Sequence, residues 1–167
     1  MTTTDLTPTL DPGTLRRAFG AFPSGVVAVA AEVDGRPVGL AASSFTSVSL
    51  EPALVSFTVA NGSATWPVLR AAGHLGLSVL ADHHDAVCTR LAGPAEHRFD
   101  GLDLHTTADG AVLLEDAVAA FDCTVHREIV AGDHTIVLLR LHALDDAGDS
   151  APLVFHRSAF ASLAEPA

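Results

Sequence analysis

Short apolar runs, each closed by a turn signal, recur from Val26 to His156, and this rhythm constrains the fold more than any other feature of the chain. Val26 to Val33 meets Asp34-Gly35, and Val38 to Ala42 returns from it. Leu54 to Ala60 is closed by Asn61-Gly62, and Leu75 to Leu80 follows further on. Ala117 to His126 and Thr135 to Leu144 flank Gly132-Asp133, and Leu153 to His156 comes last. Asp34-Gly35 between two such runs is a hairpin signal, because its residues tolerate the left-handed backbone that a tight turn demands. The pattern predicts a mainly β, antiparallel barrel with a few short helices. Parallel βα repeats are absent and no GxGxxG follows the first strand, which argues against a dinucleotide-binding α/β sheet.

Three helices complete the prediction. Asp11-Pro12 reads as an N-cap and first helical position, with the helix running to about Phe19 and burying Leu15, Ala18 and Phe19. A second starts with Ser63 or Thr65 as its cap and stops at Gly73. A third covers Asp82 to Leu91, ending before Gly93-Pro94, after which the chain to Gly110 reads as irregular. In the strand Ala117 to His126, Phe121, Cys123 and Val125 share one face while Asp122, Thr124 and His126 share the other. The expected organisation is a flexible tail over 1–10, one domain over 11–163, and a short tail over 164–167.

Of the 167 residues, 49% are apolar and 17% charged, the balance of a globular chain. No apolar run reaches the roughly 18 residues of a membrane span, and Met1 to Leu10 lacks the basic start and apolar stretch of a signal peptide, so a cytoplasmic location is expected. Cys88 and Cys123 lack CxxC spacing and read as free thiols. A formal charge of −11 offers no field for a nucleic acid backbone. All nine cations are arginines, which excludes lysine chemistry and leaves arginine, hydroxyls and backbone amides to hold any phosphate.

The stretch from Ala41 to Pro52 is where the strand pattern turns chemical. Five hydroxyls fall within residues 43–49, with Phe45, Val48 and Leu50 among them. That mixture suits a surface binding something flat and polar-edged; it suits equally a turn whose hydroxyls bond the local backbone. Gly132-Asp133-His134-Thr135 places a histidine at a strand mouth beside an aspartate able to orient it, or it is ordinary turn chemistry. The nine histidines form no HExxH or HxH, and His83-His84-Asp85 lies on a helix where neighbours diverge by about 100°, so no metal site is expected. No GxSxG elbow supports a serine hydrolase.

Taken together, Phe22-Pro-Ser-Gly-Val26, Ser43 to Pro52, Ser63-x-Thr65-Trp66-Pro67, Arg98-Phe99-x-Gly101, Gly132-Asp-His-Thr135 and Pro152-Leu-Val-Phe-His-Arg157 resemble the flavin reductase family, the small reductase components of two-component flavin-dependent monooxygenases. The six occur in the family order, over about Leu15 to Leu163. The resemblance implies a flavin-binding split β-barrel (a Greek-key antiparallel barrel), usually homodimeric, that passes hydride from NADH or NADPH to FMN or FAD and releases reduced flavin to a separate oxygenase. It implies that Ala41, Ser43, Ser44 and Ser47 line the isoalloxazine ring and that Thr58, Val59 and Ala60 lie along the ring and ribityl chain. Ser63, Thr65 and Arg90 would hold the phosphate, while His134, Phe155, His156 and Arg157 border the nicotinamide. Two other functions suit the same fold: a flavoprotein that keeps its flavin for an organic substrate, and a flavin-binding module without turnover. Where the family has glycine, a polar residue and tyrosine after His156-Arg157, this chain has Ser158, Ala159 and Phe160, a change bearing on nicotinamide binding.

Overall fold

The computed structural model describes residues 10–146 and 149–163; apart from Leu10, the tails expected over 1–10 and 164–167 lie outside the described residues. Helix α1 (Pro12–Phe19) begins as its cap predicts: the backbone N–H groups of Gly13 and Thr14 donate to Asp11 Oδ1 at 3.0 and 3.1 Å. These bonds, and the Thr14 hydroxyl above all, hold the Asp11 carboxyl below its usual range. The face expected to be buried is not. Leu15 is half-buried, Ala18 is exposed and Phe19 is 70% exposed, because α1 lies on the surface of the sheet system and not in its core.

The strands are β1 (Ser24–Gly25), β2 (Val27–Val33), β3 (Arg36–Ala42), β4 (Thr46–Leu50), β5 (Ala53–Ala60), β6 (Leu75–Val79), β7 (Leu104–Thr106), β8 (Val112–Leu114), β9 (Ala119–Ala131), β10 (His134–Asp145), β11 (Val154–His156) and β12 (Ala159–Ala161). The architecture is mainly β and antiparallel, as expected. Asp34 and Gly35 take φ values of 52° and 72°, so the predicted Asp-Gly turn joins β2 to β3. Seven strands pair in the order β3-β2-β6-β9-β10-β5-β4, while β1-β11-β12 and β7-β8 form smaller sheets.

That order fixes the curvature. Strands β3 and β4 occupy opposite edges, yet only Ser43 to Phe45 separate them in sequence. Laid flat, seven strands would set the edges about 29 Å apart, whereas a link of this length reaches about 14 Å at most. The sheet must therefore curl enough to bring the end of β3 within that reach of the start of β4. The link is then stitched to β5: the Thr58 N–H donates to Ser44 Oγ at 2.8 Å, and that hydroxyl donates to the Thr58 carbonyl at 3.3 Å. Among the described residues no ladder joins β3 to β4, so the seam stays split.

Curling buries β2 on both faces. Val27, Val29 and Ala31 point inward with Phe57, Leu75, Leu77, Val137 and Leu139, and Val26 and Ala28 pack outward on Leu80, Leu91, Leu114 and Leu153. Each of the Val, Leu and Phe side chains among them contributes about 1.5–3 kcal/mol by leaving water. Gly76 is required where β6 passes β8, since a Cβ there would collide with the Val112 carbonyl. Burial raises the Cys88 thiol, and burial with the Asp122 charge pushes Cys123 up to about 12, consistent with unreactive free thiols.

Three further expectations are corrected. Half of the hydroxyl stretch is the edge strand β4. Helix α2 (Trp66–Leu69) is a single turn that stops well short of Gly73. The segment read as irregular contains β7, paired with the unforeseen β8. The face that Asp122 shares with Thr124 and His126 is not uniformly exposed: Asp122 is buried, its carboxylate meeting His74 Nδ1 at 2.5 Å and accepting from Thr107 at 3.3 Å.

Helix α3 (Asp85–Leu91) follows a 3-10 turn over Asp82–His84, in which the Ala81 N–H donates to His84 Nδ1 at 3.1 Å. Burial first, then the neighbouring His83, lowers the His84 pKa. The neutral ring is therefore the native form, and its stabilisation is present above the unfolded value of about 6.5 and lost as pH falls towards the lower folded value. The thermal midpoint is expected to drop less between about pH 7 and pH 5 in a His84→Asn variant, which keeps an acceptor without the titration. Equal acid sensitivity in both proteins would remove His84 from this role.

The β11–β12 turn is built from Arg157 and Ser158, with φ values of 50° and 64°. Left-handed backbone costs a non-glycine residue roughly 1–2 kcal/mol. Ser158→Gly is expected to stabilise the protein by about 0.5–1 kcal/mol after the added freedom of the unfolded chain is counted. A lowered thermal midpoint would show that the Ser158 side chain contributes more than its backbone costs.

Candidate functional site

Beside the split seam, between the ends of β3 and β5, lies a cavity of about 360 Å³. The end of β3 and the link supply Leu40 to Ser44, and the end of β5 supplies Thr58 to Ala60. Ser63, Leu91, Ala92, Arg98 and His134 complete the wall. A second cavity of about 340 Å³ shares Ala41, Ala42, Ser43 and Ala92 with the first and continues past Val26, Cys88, Phe155 and Phe160. The shared floor is made of small side chains, which leaves a broad space beneath one polar and one apolar half. Both volumes suit a small-molecule site, and the mixture suits a flat ligand with one polar edge.

Ala41, Ser43, Ser44, Thr58, Val59, Ala60, Ser63 and His134 come together in the first cavity, and Phe155 walls the second. Thr65 stands behind the first cavity. His156 is half-buried in β11 and lines neither. Arg157 lies beyond them, at a separate opening it shares with Arg16. Ser47 is not brought to the site: it sits exposed on the edge strand β4, paired with Val55.

Nor is Arg90 brought to either cavity. It is exposed on α3, where Leu91 takes the buried position, and its guanidinium donates to the Asp100 carbonyl. The arginine in the wall is Arg98. Its Nε donates to the Gly93 carbonyl at 2.9 Å, and its Nη1 donates to the Gly39 carbonyl at 2.8 Å and to Thr65 Oγ1 at 2.9 Å. A positive charge is thereby fixed beside Ser63 and Thr65. The expectation of an anion site at a helix N-terminus needs the same correction. Helix α2 has one turn, and Ser63 Oγ already accepts from the Trp66 N–H at 3.2 Å.

His134 is held by its own turn. Its Nδ1 meets Asp133 Oδ1 at 2.8 Å, and this bond and the ring's charge hold the Asp133 carboxyl below its usual range, with a smaller contribution from Arg16. The turn is in turn bound to the end of β5. Asn61 N–H donates to the Asp133 carbonyl at 3.0 Å, its Nδ2 donates to Gly132 O at 3.1 Å, and Thr135 Oγ1 donates to Asn61 Oδ1 at 2.8 Å. Asn61, seen in sequence only as a turn residue, thus positions His134.

His74, Asp109 and Asp122 offer ligand-type atoms within 4.8 Å of one another, apart from the residues that line the two cavities. His74 and Asp122 already satisfy each other there, and the spacing of these residues gives no motif in sequence.

The sequence matches the family model described as "Flavin reductase like domain" over residues 19–164. A "Flavin reductase" of Pseudomonas putida is 38% identical over 156 residues, covering 93% of this chain and 92% of that protein. The "Flavin-dependent monooxygenase, reductase subunit HsaB" of Rhodococcus jostii is 30% identical across 92% of this chain and 79% of its own length. Two relatives from Rhizobium meliloti are longer, and the chain spans 45% of one and 60% of the other. Among solved structures, the NADH:FAD oxidoreductase SgcE6 of Streptomyces globisporus C-1027, in complex with NAD and FAD fragments, superposes with a TM-score of 0.88. It is 33% identical, with 96% of this chain and 99% of that chain covered.

Proposed function

The chain belongs to the flavin reductase-like domain family, and on that premise we propose that its two adjoining cavities form one site for a flavin and a reduced nicotinamide. The activity is that of an NAD(P)H:flavin oxidoreductase. The observation that carries the site assignment is the convergence of Ala41 to Ser44, Thr58 to Ala60, Ser63 and His134, from separate strands, on one cavity. These residues fit a flavin: alanines and serine leave the floor open where larger side chains would fill it, and Arg98 supplies the cation that a phosphate needs. A bound flavin would supply the acceptor for a hydride from the reduced nicotinamide.

The chain's own residues bind and align. Ala41, Ala42 and Ser43 give the ring a flat bed, and the bonds between Ser44 and Thr58 keep that bed from spreading. Arg98, with Thr65 on its guanidinium and Ser63 beside it, holds the phosphate of FMN or FAD. Asp133 fixes the orientation of His134, which borders the donor, NADH or NADPH, with Phe155. No side-chain nucleophile is required, and the contribution of the protein is alignment. The reduced flavin passes to a flavin-dependent monooxygenase, as the names of the reductase-subunit relatives suggest. A second copy of the chain covers Val48, Leu50 and Val130, which are 48%, 97% and 76% exposed, to give a homodimer. Among the described residues no helix is long and apolar enough to cross a membrane.

The test is oxidation of NADH and NADPH by purified protein, with and without FMN or FAD. Turnover that requires added flavin supports the reading. A flavin carried tightly through purification, or flavin binding without turnover, sinks it. His134→Ala is expected to slow turnover at saturating flavin by about tenfold or more, within the range of a positioned group at the reacting centre, while leaving the flavin Kd within about threefold. The reverse pattern would move His134 to the flavin.

A further inference from the structure

Beyond Phe155 the groove continues into two more openings, of about 400 and 430 Å³, in which three arginines converge. Arg16, Arg17 and Arg157 line one with Gly20 and Ser158. The other carries Arg16 and Arg157 with Phe19 and Phe22 and reaches back to Ser43 and Phe155, which also wall the apolar cavity. One path therefore runs from His134 and Arg98 to the arginines.

A third of the chain's nine arginines meet at this spot in a protein of net charge −11. Among the described residues, the arginine paired with a carboxylate is Arg70, with Glu128, and none of these three. Arg16 and Arg17 complement the C-terminal end of the α1 dipole, which explains their sign. It does not explain Arg157, which arrives from another sheet on a left-handed turn and is tied in by its N–H to the Gly20 carbonyl at 2.9 Å. Phe19 and Phe22 stand 70% and 78% exposed at the same opening, apolar faces with room for a base.

We propose that Arg16, Arg17 and Arg157 form a phosphate-recognition subsite for the adenosine diphosphate half of a dinucleotide whose redox half occupies the cavities already described. Arginine suits phosphoryl oxygens because its planar fork donates two parallel bonds. Phe19 and Phe22 flank the adenine. The proposal rests on the oxidoreductase reading for the identity of the ligand, the nicotinamide donor; FAD does not supply it, because its two phosphates share a bridging oxygen and one of them is already on Arg98 in the first cavity.

The experiment uses the full chain and an Arg16→Gln, Arg17→Gln double variant, both positions being exposed and the helix propensity kept. Calorimetric titration with 5′-ADP is expected to show binding to the parent and at least tenfold weaker binding to the variant, while the FMN Kd stays within twofold. A tenfold loss confined to FAD affinity would put the flavin's own phosphates at these arginines and overturn the proposal. A tenfold rise in KM confined to NADH and NADPH, at saturating FMN, assigns it to the donor. Failure of the parent to bind ADP, equal ADP binding by both proteins, or an FMN loss as large as the ADP loss overturns the subsite. ADP binding that depends on the arginines in a protein that oxidises no nicotinamide keeps the subsite and sinks the oxidoreductase reading instead.

Discussion

Replacing Arg98 by alanine is expected to weaken FMN binding at least tenfold and to destabilise the fold by about 3 kcal/mol, since bonds from a charged donor contribute roughly 1.5–3 kcal/mol each and do not add in full. One side chain joins three segments here: Gly39 on β3, Thr65 ahead of α2, and Gly93 after α3. Its loss frees two carbonyls and removes the cation beside Ser63. Lysine offers one ammonium and cannot span three acceptors, so Arg98→Lys is expected to recover less than half of the lost stability. Arg90→Ala is the counterpart. With its exposed contact to the Asp100 carbonyl, it is expected to change stability by no more than about 0.5 kcal/mol and the FMN Kd by no more than about threefold. Denaturant titration with fluorescence-monitored flavin binding checks both, and a larger flavin loss in Arg90→Ala than in Arg98→Ala would return the phosphate to Arg90.

Trp66→Ala is expected to cost about 3–5 kcal/mol, the range for removing a large buried aromatic side chain. Trp66 is 6% exposed and packs edge-on against the fully buried Phe57 with centroids 5.5 Å apart. Its Nε1 donates to Glu128 Oε1 at 2.8 Å, and Glu128 also pairs with Arg70 at 3.4 Å. Because Trp66 pins the single turn that follows Ser63 and Thr65, flavin affinity is expected to fall with stability. Trp66→Phe keeps most of the packing and loses the bond, which separates the two contributions: about 1–2 kcal/mol is expected. A loss below about 1.5 kcal/mol in Trp66→Ala would mean that the Phe57 side of the core closes over the gap.

The strands were legible because alternation and Asp-Gly, Asn-Gly and Gly-Asp turns are local signals. Strand β10 was expected over Thr135 to Leu144 and spans His134–Asp145. The misses fall where burial is decided by distant segments. Nothing near Phe19 in sequence tells that α1 lies on the surface, and nothing near Asp122 announces His74 and Thr107. The hydroxyl stretch was read as one unit, although its first half lines the cavity and its second half is an edge strand. The site shows the same division. The resemblance named most of the residues that converge, but the choice between Arg90 and Arg98 depends on which way α3 is turned. With Leu91 buried, Arg90 faces out. Asn61 escaped for the opposite reason: its turn chemistry was a sufficient local explanation, and its bonds to Gly132 and Thr135 cross more than seventy positions.

The order of the seven-stranded sheet also bears on how the protein assembles in time. It is made of three local hairpins, β2–β3, β4–β5 and β9–β10, joined through β6 and through the pairing of β10 with β5. Hairpins close within about 1–10 μs, whereas pairings of high sequence separation are slow because the loops must be closed first. The first hairpin contributes Ala41 and Ala42, the second Thr58 to Ala60, and the third His134. No partial assembly of two hairpins owns a complete cavity, so the capacity to hold a ligand arrives with the last docking step. A ligand therefore has little to grip in the folding transition state, and it acts by delaying the unfolding of the finished protein.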